Sequence, residues 1–472
     1  MSTALVWLRR DLRLADNPAL TAACTAHERV LLAHVHAPHE EAVWQPGAAS
    51  RWWLHHSLHA LQEQLESQGG RLHVVAGDSL ACLRELIARS KACAVYWNRL
   101  YEPAVIQRDK HIKAALRTDG ITVESTPGNL WSEPWQLGTA DGKPYRVFTP
   151  FRRKLRAEIA LPPPLPTVRT RQWLRLSDGL DIDALGLLPK IRWDRGMAKT
   201  WRPGEAGAAE LLEVFADDAL ASYKEARDFP DRHGTSRLSP HLHFGEITPR
   251  QVMHGLQTLI AGNQPRRHAN LEPYLRQLAW REFAHHLLYH FPDTPTENFN
   301  PRFDAFRWAD DDPVMIRRWQ RGQTGVPLVD AGMRELWHTG WMHNRVRMVV
   351  ASFLTKNLRQ HWHHGARWFW DTLVDADLAN NALGWQWVAG CGADAAPYFR
   401  VFNPCTQARK FDPDAAYLKR WLPELAGVPA QLLHEPWRDP ARLAACGYPA
   451  PMVDVAASRT AALNAWQQLA GK

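Results

Sequence analysis

The stretch ALVWLRRDLRLADNPAL, Ala4 to Leu20, changes character halfway. Ala4 to Leu8 read as a buried strand, Arg9, Arg10, Asp11 and Arg13 form a charged loop, and Asp16-Asn17-Pro18 is a turn that starts a helix. In open parallel sheets the loops at the carboxyl ends of the strands line the crevice where ligands sit, and a charged loop suits that place. Taken alone, the segment fits a surface turn of paired arginine and aspartate at least as well.

The flanking pattern gives this strand its partners. Apolar runs at Val30–Val35, Leu72–Val75, Ala94–Trp97 and Ile121–Val123 alternate with helical patterns over Ser50–Gln68, Ser79–Arg89 and Pro103–Arg117. Strands alternating with helices predict a doubly wound parallel sheet, an α/β domain over residues 1–130. No G-x-G-x-x-G follows the first run, so a dinucleotide fingerprint is absent. Residues 131–203 look irregular, and LPPPLPTV (Leu161 to Val168) cannot be helix interior, since proline removes a donor and clashes with the preceding turn. This region reads as an interdomain linker draped over the surface. From 204 to 472 helical periodicity dominates and predicts an all-helical domain. In GWMHNRVRMVVASFLTK, Met342, Val346, Val349, Val350, Phe353 and Leu354 fall on one stripe, while Asn344, Arg345 and Met348 fall on another face.

A chain of 472 residues can build two or three cored domains. Its 57 Lys and Arg against 49 Asp and Glu leave a formal charge of +8, which suits a polyanion such as DNA without requiring one. Six scattered cysteines with no C-x-x-C pair argue against a disulfide frame or a cysteine metal site. With no signal peptide and no membrane-length apolar run, a cytoplasmic monomer is expected. The 23 tryptophans fit a packed aromatic core, base stacking or electron transfer, and composition does not choose among them.

Six segments carry a more specific signal. They are WLRRDLRLADNPAL, GTSRLSPHLHFGEITPRQV, RQLAWREFAHHLLYHFP, GWMHNRVRMVVASF, DTLVDADLANNALGWQWVAG and DAAPYFRVFNP. In this order they resemble the photolyase/cryptochrome flavoprotein family over nearly the whole chain, nearest the bacterial cyclobutane-dimer photolyases and the class III branch. The resemblance implies FAD buried in the helical domain and an α/β domain that in many relatives holds a light-harvesting antenna. It also implies a structural role for the RRDLR loop, near the interface of the two domains.

Thr235, Ser236, Arg237, Leu238 and Ser239 combine hydroxyls, backbone N–H groups and a guanidinium in one short turn. Such a set can hold a pyrophosphate or simply cap a helix. The resemblance makes it the FAD phosphate loop, with Tyr223, Trp341, Asn344, Arg347, Asp375, Asp377 and Asn381 as further cofactor contacts. Asp375 then pairs with Arg347, although both Asp375 and Asp377 also suit helix N-capping. Asn381 matches the position beside flavin N5, where photolyases tend to carry Asn, plant cryptochromes Asp and insect ones Cys. Trp385, Trp362 and Trp308 match the family's electron ladder from flavin to surface.

For DNA, the resemblance implies that Trp280 and Trp387 stack on a flipped-out pyrimidine dimer. Asn344, Arg345 and Met348 form the opposite wall, and Arg345 and Arg400 reach phosphates. Gln277, Trp280 and Arg281 project together at i, i+3 and i+4 of one helix. Gln277 departs from the pattern, because most cyclobutane-dimer photolyases carry a glutamate there. A glutamine keeps a donor and an acceptor but lends no acidic proton. Ala104 and Val105 stand where folate-binding relatives carry Asn and Glu, so the antenna, of folate or deazaflavin type, stays unassigned. His55 and His59 at i, i+4 and the HWHH run (His361, His363, His364) lack an H-E-x-x-H frame or cysteine partners, and no metal is expected. Two functions follow: blue-light repair of cyclobutane pyrimidine dimers in UV-damaged DNA, or a cryptochrome-type photoreceptor with weak or no repair because of Gln277.

Overall fold

The apolar runs of the first 126 residues are short, and their alternate residues face opposite sides, so each packs against helices on both faces of one sheet. In a computed structural model describing residues 2–169, 172–394 and 399–470, they are the strands β1 (Thr3–Leu8), β2 (Arg29–His36), β3 (Leu72–Ala76), β4 (Ala94–Asn98) and β5 (Thr122–Thr126). All pair in parallel, in the order β3-β2-β1-β4-β5. The crossovers are helices α1 (Pro18–Ala26), α2 (Ala48–Ser67), α3 (Ser79–Ser90) and α4 (Pro103–Thr118). The pleat of β1 divides its side chains. Ala4, Val6 and Leu8 join Trp52, Trp53 and Leu58 of α2, whereas Leu5 and Trp7 join Leu83 and Leu86 of α3 and Ile112 of α4.

Strand order reverses between β1 and β4, so the loops after these two strands bound the crevice of the sheet. The RRDLR loop fills it. Arg13 is fully buried, and its five guanidinium N–H groups meet the Asp16 carbonyl (3.1 and 2.9 Å), Asn129 Oδ1 (2.7 Å) and the carbonyls of Gly245 (2.7 Å) and Gly128 (3.0 Å). At the end of β4, Asn98 Nδ2 donates to Asp11 Oδ2 (2.6 Å) and Asn17 Oδ1 (2.8 Å). Asp16 accepts from Thr248 Oγ1 (2.6 Å) and pairs with Arg250, both in the helical domain. The loop is thus the joint between the domains. Gly245, with φ +66°, turns the helical domain against it, and a Cβ there would lie 2.2 Å from the Arg10 carbonyl.

The region read as an irregular linker is more ordered than its prolines suggest. A helix, Phe148–Glu158, lies within it, burying Phe148, Phe151 and Leu155 on one side. Its apolar residues are few and interleaved with arginines, which hid the stripe. Farther on, Leu180 N donates to Val74 O (2.8 Å) and Trp173 bridges to Val30, so the chain covers the free edge of the sheet.

Beyond Gly204 the chain is helical. The stripe Met342, Val346, Val349, Val350, Phe353 and Leu354 is fully buried, as its spacing requires. Helices Trp362–Thr372 and Leu378–Ala389 pack so closely that a Cβ at Gly365 would sit 1.9 Å from the Trp385 ring. Among the described residues, no helix is long and apolar enough to cross a membrane.

Because Arg13 holds four backbone or side-chain partners from three parts of the chain, Arg13→Leu is expected to destabilise the protein by about 3–5 kcal/mol. Urea unfolding followed by tryptophan fluorescence measures this, and a change within about 0.5 kcal/mol would show that the joint does not depend on the guanidinium.

Candidate active site

The hydroxyl-rich turn, Thr235 to Ser239, enters the short helix Ser239–His243 through Arg237 at φ +54°. That backbone lets the side chain slide between two indoles, 4.4 Å from the Trp201 ring and 4.9 Å from the Trp341 ring. Burial lowers the Arg237 pKa from its ordinary value, and its Nε is buried with no hydrogen-bond partner. A half-buried arginine whose Nε is buried without a partner suits an anion at its remaining donors. Beside it, Ser236 Oγ accepts from the Tyr274 hydroxyl (3.0 Å). Tyr274 packs on Tyr223, whose phenol burial pushes up to about 12. The donor set fits the FAD diphosphate implied by the sequence.

A second group lies at the head of helix Leu378–Ala389. Asp377 caps that helix, its Oδ1 accepting from Asn380 N (2.9 Å), while its Oδ2 faces His243 (3.5 Å) and His285 (3.4 Å). The capping reading of this carboxylate therefore holds, and its second oxygen is taken by the two imidazoles. Burial disfavours charge on either partner, yet the pairing holds Asp377 well below the usual carboxylate range and His285 above the usual imidazole value. One turn on, Asn381 Nδ2 donates to Ala366 O (3.0 Å), which orients the carboxamide. The expected Arg347–Asp375 pair is present, with Arg347 Nη2 2.9 and 3.1 Å from the two carboxylate oxygens and Nε bound to Met342 O (2.8 Å). Behind it, burial pushes the Glu335 carboxyl up to about 7, with Tyr417 donating to it at 2.6 Å.

The three tryptophans expected to form a ladder lie in the same helical region, with Trp385 also edge-on to Phe369 (4.9 Å). Trp385 is buried against Gly365, one turn from the fully buried Trp362. The His361 ring bridges Trp362 (5.7 Å) to the half-buried Trp308 (4.9 Å).

The face expected to meet DNA is only partly assembled as the spacing suggests. Gln277 Oε1 accepts from Arg227 Nη2 (3.3 Å), and Trp280 lies flat on Phe148 with ring centroids 3.6 Å apart. Arg281 is a correction. Its guanidinium donates to Asn129 O (2.8 Å) and Leu242 O (3.3 Å) and pairs with Glu282 (3.3 Å), so it is held in the domain joint and withdrawn from the DNA face. Asn344 and Met348 are neighbours at 4.0 Å, and Arg345 pairs with Asp228 (3.0 Å) over the Phe411 ring. Trp387 and the exposed Arg400 line a separate opening of about 660 Å³ with Phe299 and Phe402, and part of the DAAPYFRVFNP segment (395–398) lies outside the described residues.

Sequence reasoning missed Arg227, Tyr274, His243 and His285. Arg227 stands four residues after Tyr223 and Tyr274 three before Gln277, spacings that share a helix face and could have brought both in. The histidines are recognisable only through Asp377, which is distant in sequence.

Comparison with known proteins identifies the family. Residues 4–169 match the DNA photolyase family model, and residues 274–468 match the FAD binding domain of DNA photolyase. The chain is 46% identical to a deoxyribodipyrimidine photo-lyase of Agrobacterium fabrum, over 98% of this chain and 97% of that protein. It is 36% identical to cryptochrome-2 of Arabidopsis thaliana, over 96% of this chain and 77% of the plant protein. The crystal structure of a bacterial class III photolyase from Agrobacterium tumefaciens superposes with a TM-score of 0.92 at 44% identity, covering 100% of this chain and 98% of that one. With the joint, the anion-seeking turn and the paired carboxylates already in place, these matches establish that the chain belongs to the photolyase/cryptochrome family of FAD-binding flavoproteins.

Proposed function

We propose that the chain is a deoxyribodipyrimidine photolyase that repairs cyclobutane pyrimidine dimers in UV-damaged DNA under blue light. The observation that carries this reading is the contact of Arg227 with Gln277 at 3.3 Å. With Oε1 engaged by the guanidinium, the amide NH₂ of Gln277 is the group left to donate to a dimer carbonyl. That supplies the hydrogen bond a glutamic acid would give, without its acidic proton. FAD, when bound and reduced, supplies the electron that opens the cyclobutane ring.

The remaining side chains take roles that fit this chemistry. Arg237, Thr235, Ser236 and Ser239 hold the diphosphate. Asn381 offers a neutral carboxamide to the flavin ring, and the Arg347–Asp375 pair sits beside it as a fixed dipole. Trp280 gives the dimer an aromatic wall already stiffened by Phe148, opposite Asn344 and Met348, and Trp387 and Arg400 extend the DNA surface. Arg345 turns from Asp228 toward a phosphate. Trp385, Trp362 and Trp308 carry electrons inward to the cofactor before repair begins.

A photoreceptor reading is favoured by Gln277 itself and by the 36% identity to a plant cryptochrome. The two readings separate in one assay. Chemically reduced protein, illuminated with a thymine-dimer oligonucleotide, is expected to restore thymine absorbance relative to a dark control. No recovery from protein that binds and photoreduces FAD would favour the photoreceptor. Gln277→Leu, which removes the amide donor while keeping much of the volume, is expected to lower the repair yield about tenfold, the equivalent of about 1.4 kcal/mol, with little change in DNA affinity. An unchanged yield would remove Gln277 from the mechanism. Trp362→Phe is expected to slow flavin photoreduction while leaving repair by pre-reduced protein intact, and loss of both together would point to misfolding.

A further inference from the structure

The i, i+4 histidines of α2 acquire a third partner that the sequence does not bring near them. His55 Nε2 and His59 Nε2 both face Oδ1 of Asp183, at 3.5 and 3.1 Å. The three donor atoms lie within 4.8 Å of one another. A tetrahedral zinc ion with bonds of about 2.0–2.2 Å holds neighbouring ligands roughly 3.3–3.6 Å apart. The two separations of 3.5 and 3.1 Å therefore come close to the edge of such a site.

The surroundings hold these groups in place and leave one side open. The side chain of His55 is 7% exposed, that of His59 37% and that of Asp183 72%, so the donors converge at the surface with room for water as a further ligand. Asp183 opens a short 3₁₀ turn, Asp183–Leu185, whose flanking Ile182 and Leu187 are buried in the same core as Trp52 and Leu58 of α2. Its carboxylate is therefore delivered by an anchored segment. Two imidazoles and one carboxylate suit a borderline-soft divalent ion, where calcium and magnesium would require a shell of oxygens.

We propose that His55, His59 and Asp183 bind a zinc-class divalent transition metal that fastens the interdomain linker to α2. The site shares no residue with the flavin and DNA site, and the ion takes no part in repair. Its effect is on stability: an ion that binds the folded chain and not the unfolded one raises the unfolding midpoint by mass action.

The test uses FAD-loaded protein freed of metal with EDTA and titrated with zinc chloride by calorimetry, alongside thermal unfolding. The wild type is expected to bind one zinc ion per chain and to unfold at a higher temperature when zinc is present. His59→Ala and Asp183→Ala, which remove solvent-accessible groups, are expected to keep the flavin spectrum, to bind zinc about 100-fold more weakly and to lose the zinc-dependent rise. Three results would overturn the proposal. The wild type could take up no zinc, which would leave the two imidazoles as hydrogen-bond donors to the carboxylate. Both variants could bind zinc as tightly as the wild type, which would assign the binding to other histidines. Zinc could bind without raising the midpoint, which would remove the fastening role.

Discussion

Arg13 carries a charge inside the protein because every one of its N–H groups has an acceptor, and those acceptors come from both domains. A guanidinium cannot shed its proton to escape burial, so its surroundings must be complete for the fold to close. Burial does lower its pKa, with Asp11 and Asp16 opposing the shift, but an arginine remains charged. This requirement explains the opening of the chain. The loop after β1 lies at the crevice of a doubly wound sheet, the place where such folds bind ligands, and here the crevice receives the second domain.

The same logic governs the candidate flavin site. Arg237 is half-buried between two indoles with a buried, unpartnered Nε, and Asp377 is buried yet held ionised by two histidines. One is a charge that waits for an anion, and the other is a charge already balanced. Asn381 adds a neutral carboxamide one turn beyond Asp377, oriented by the Ala366 carbonyl. The glycines serve the same purpose by permitting contact: Gly245 admits the domain joint and Gly365 admits the Trp385 ring.

Gln277 illustrates how a substitution is read through its neighbours. In sequence it is the loss of an acid. In the fold its oxygen is engaged by Arg227, and that contact leaves a defined donor. The arginine is 50 positions away, so its contact with Gln277 cannot be read from the residues around Gln277.

What the sequence determined by itself is what local period and local sterics control. The five strands were legible because apolar residues alternate or run together over a few positions, and the stripe from Met342 to Leu354 because its spacing follows the helical turn. The motifs of the family pointed to candidate cofactor residues, and among these the expected Arg347–Asp375 pair is present. The helix Phe148–Glu158 was lost among arginines and prolines. Only the tertiary structure decided where the long polar side chains end. Arg281 shares a helix with Gln277 and Trp280, yet its guanidinium is taken by Asn129 and Leu242. His55 and His59 meet an aspartate from the linker. A flexible side chain goes to whichever partner the packed backbones bring within reach, and those backbones come from distant parts of the chain.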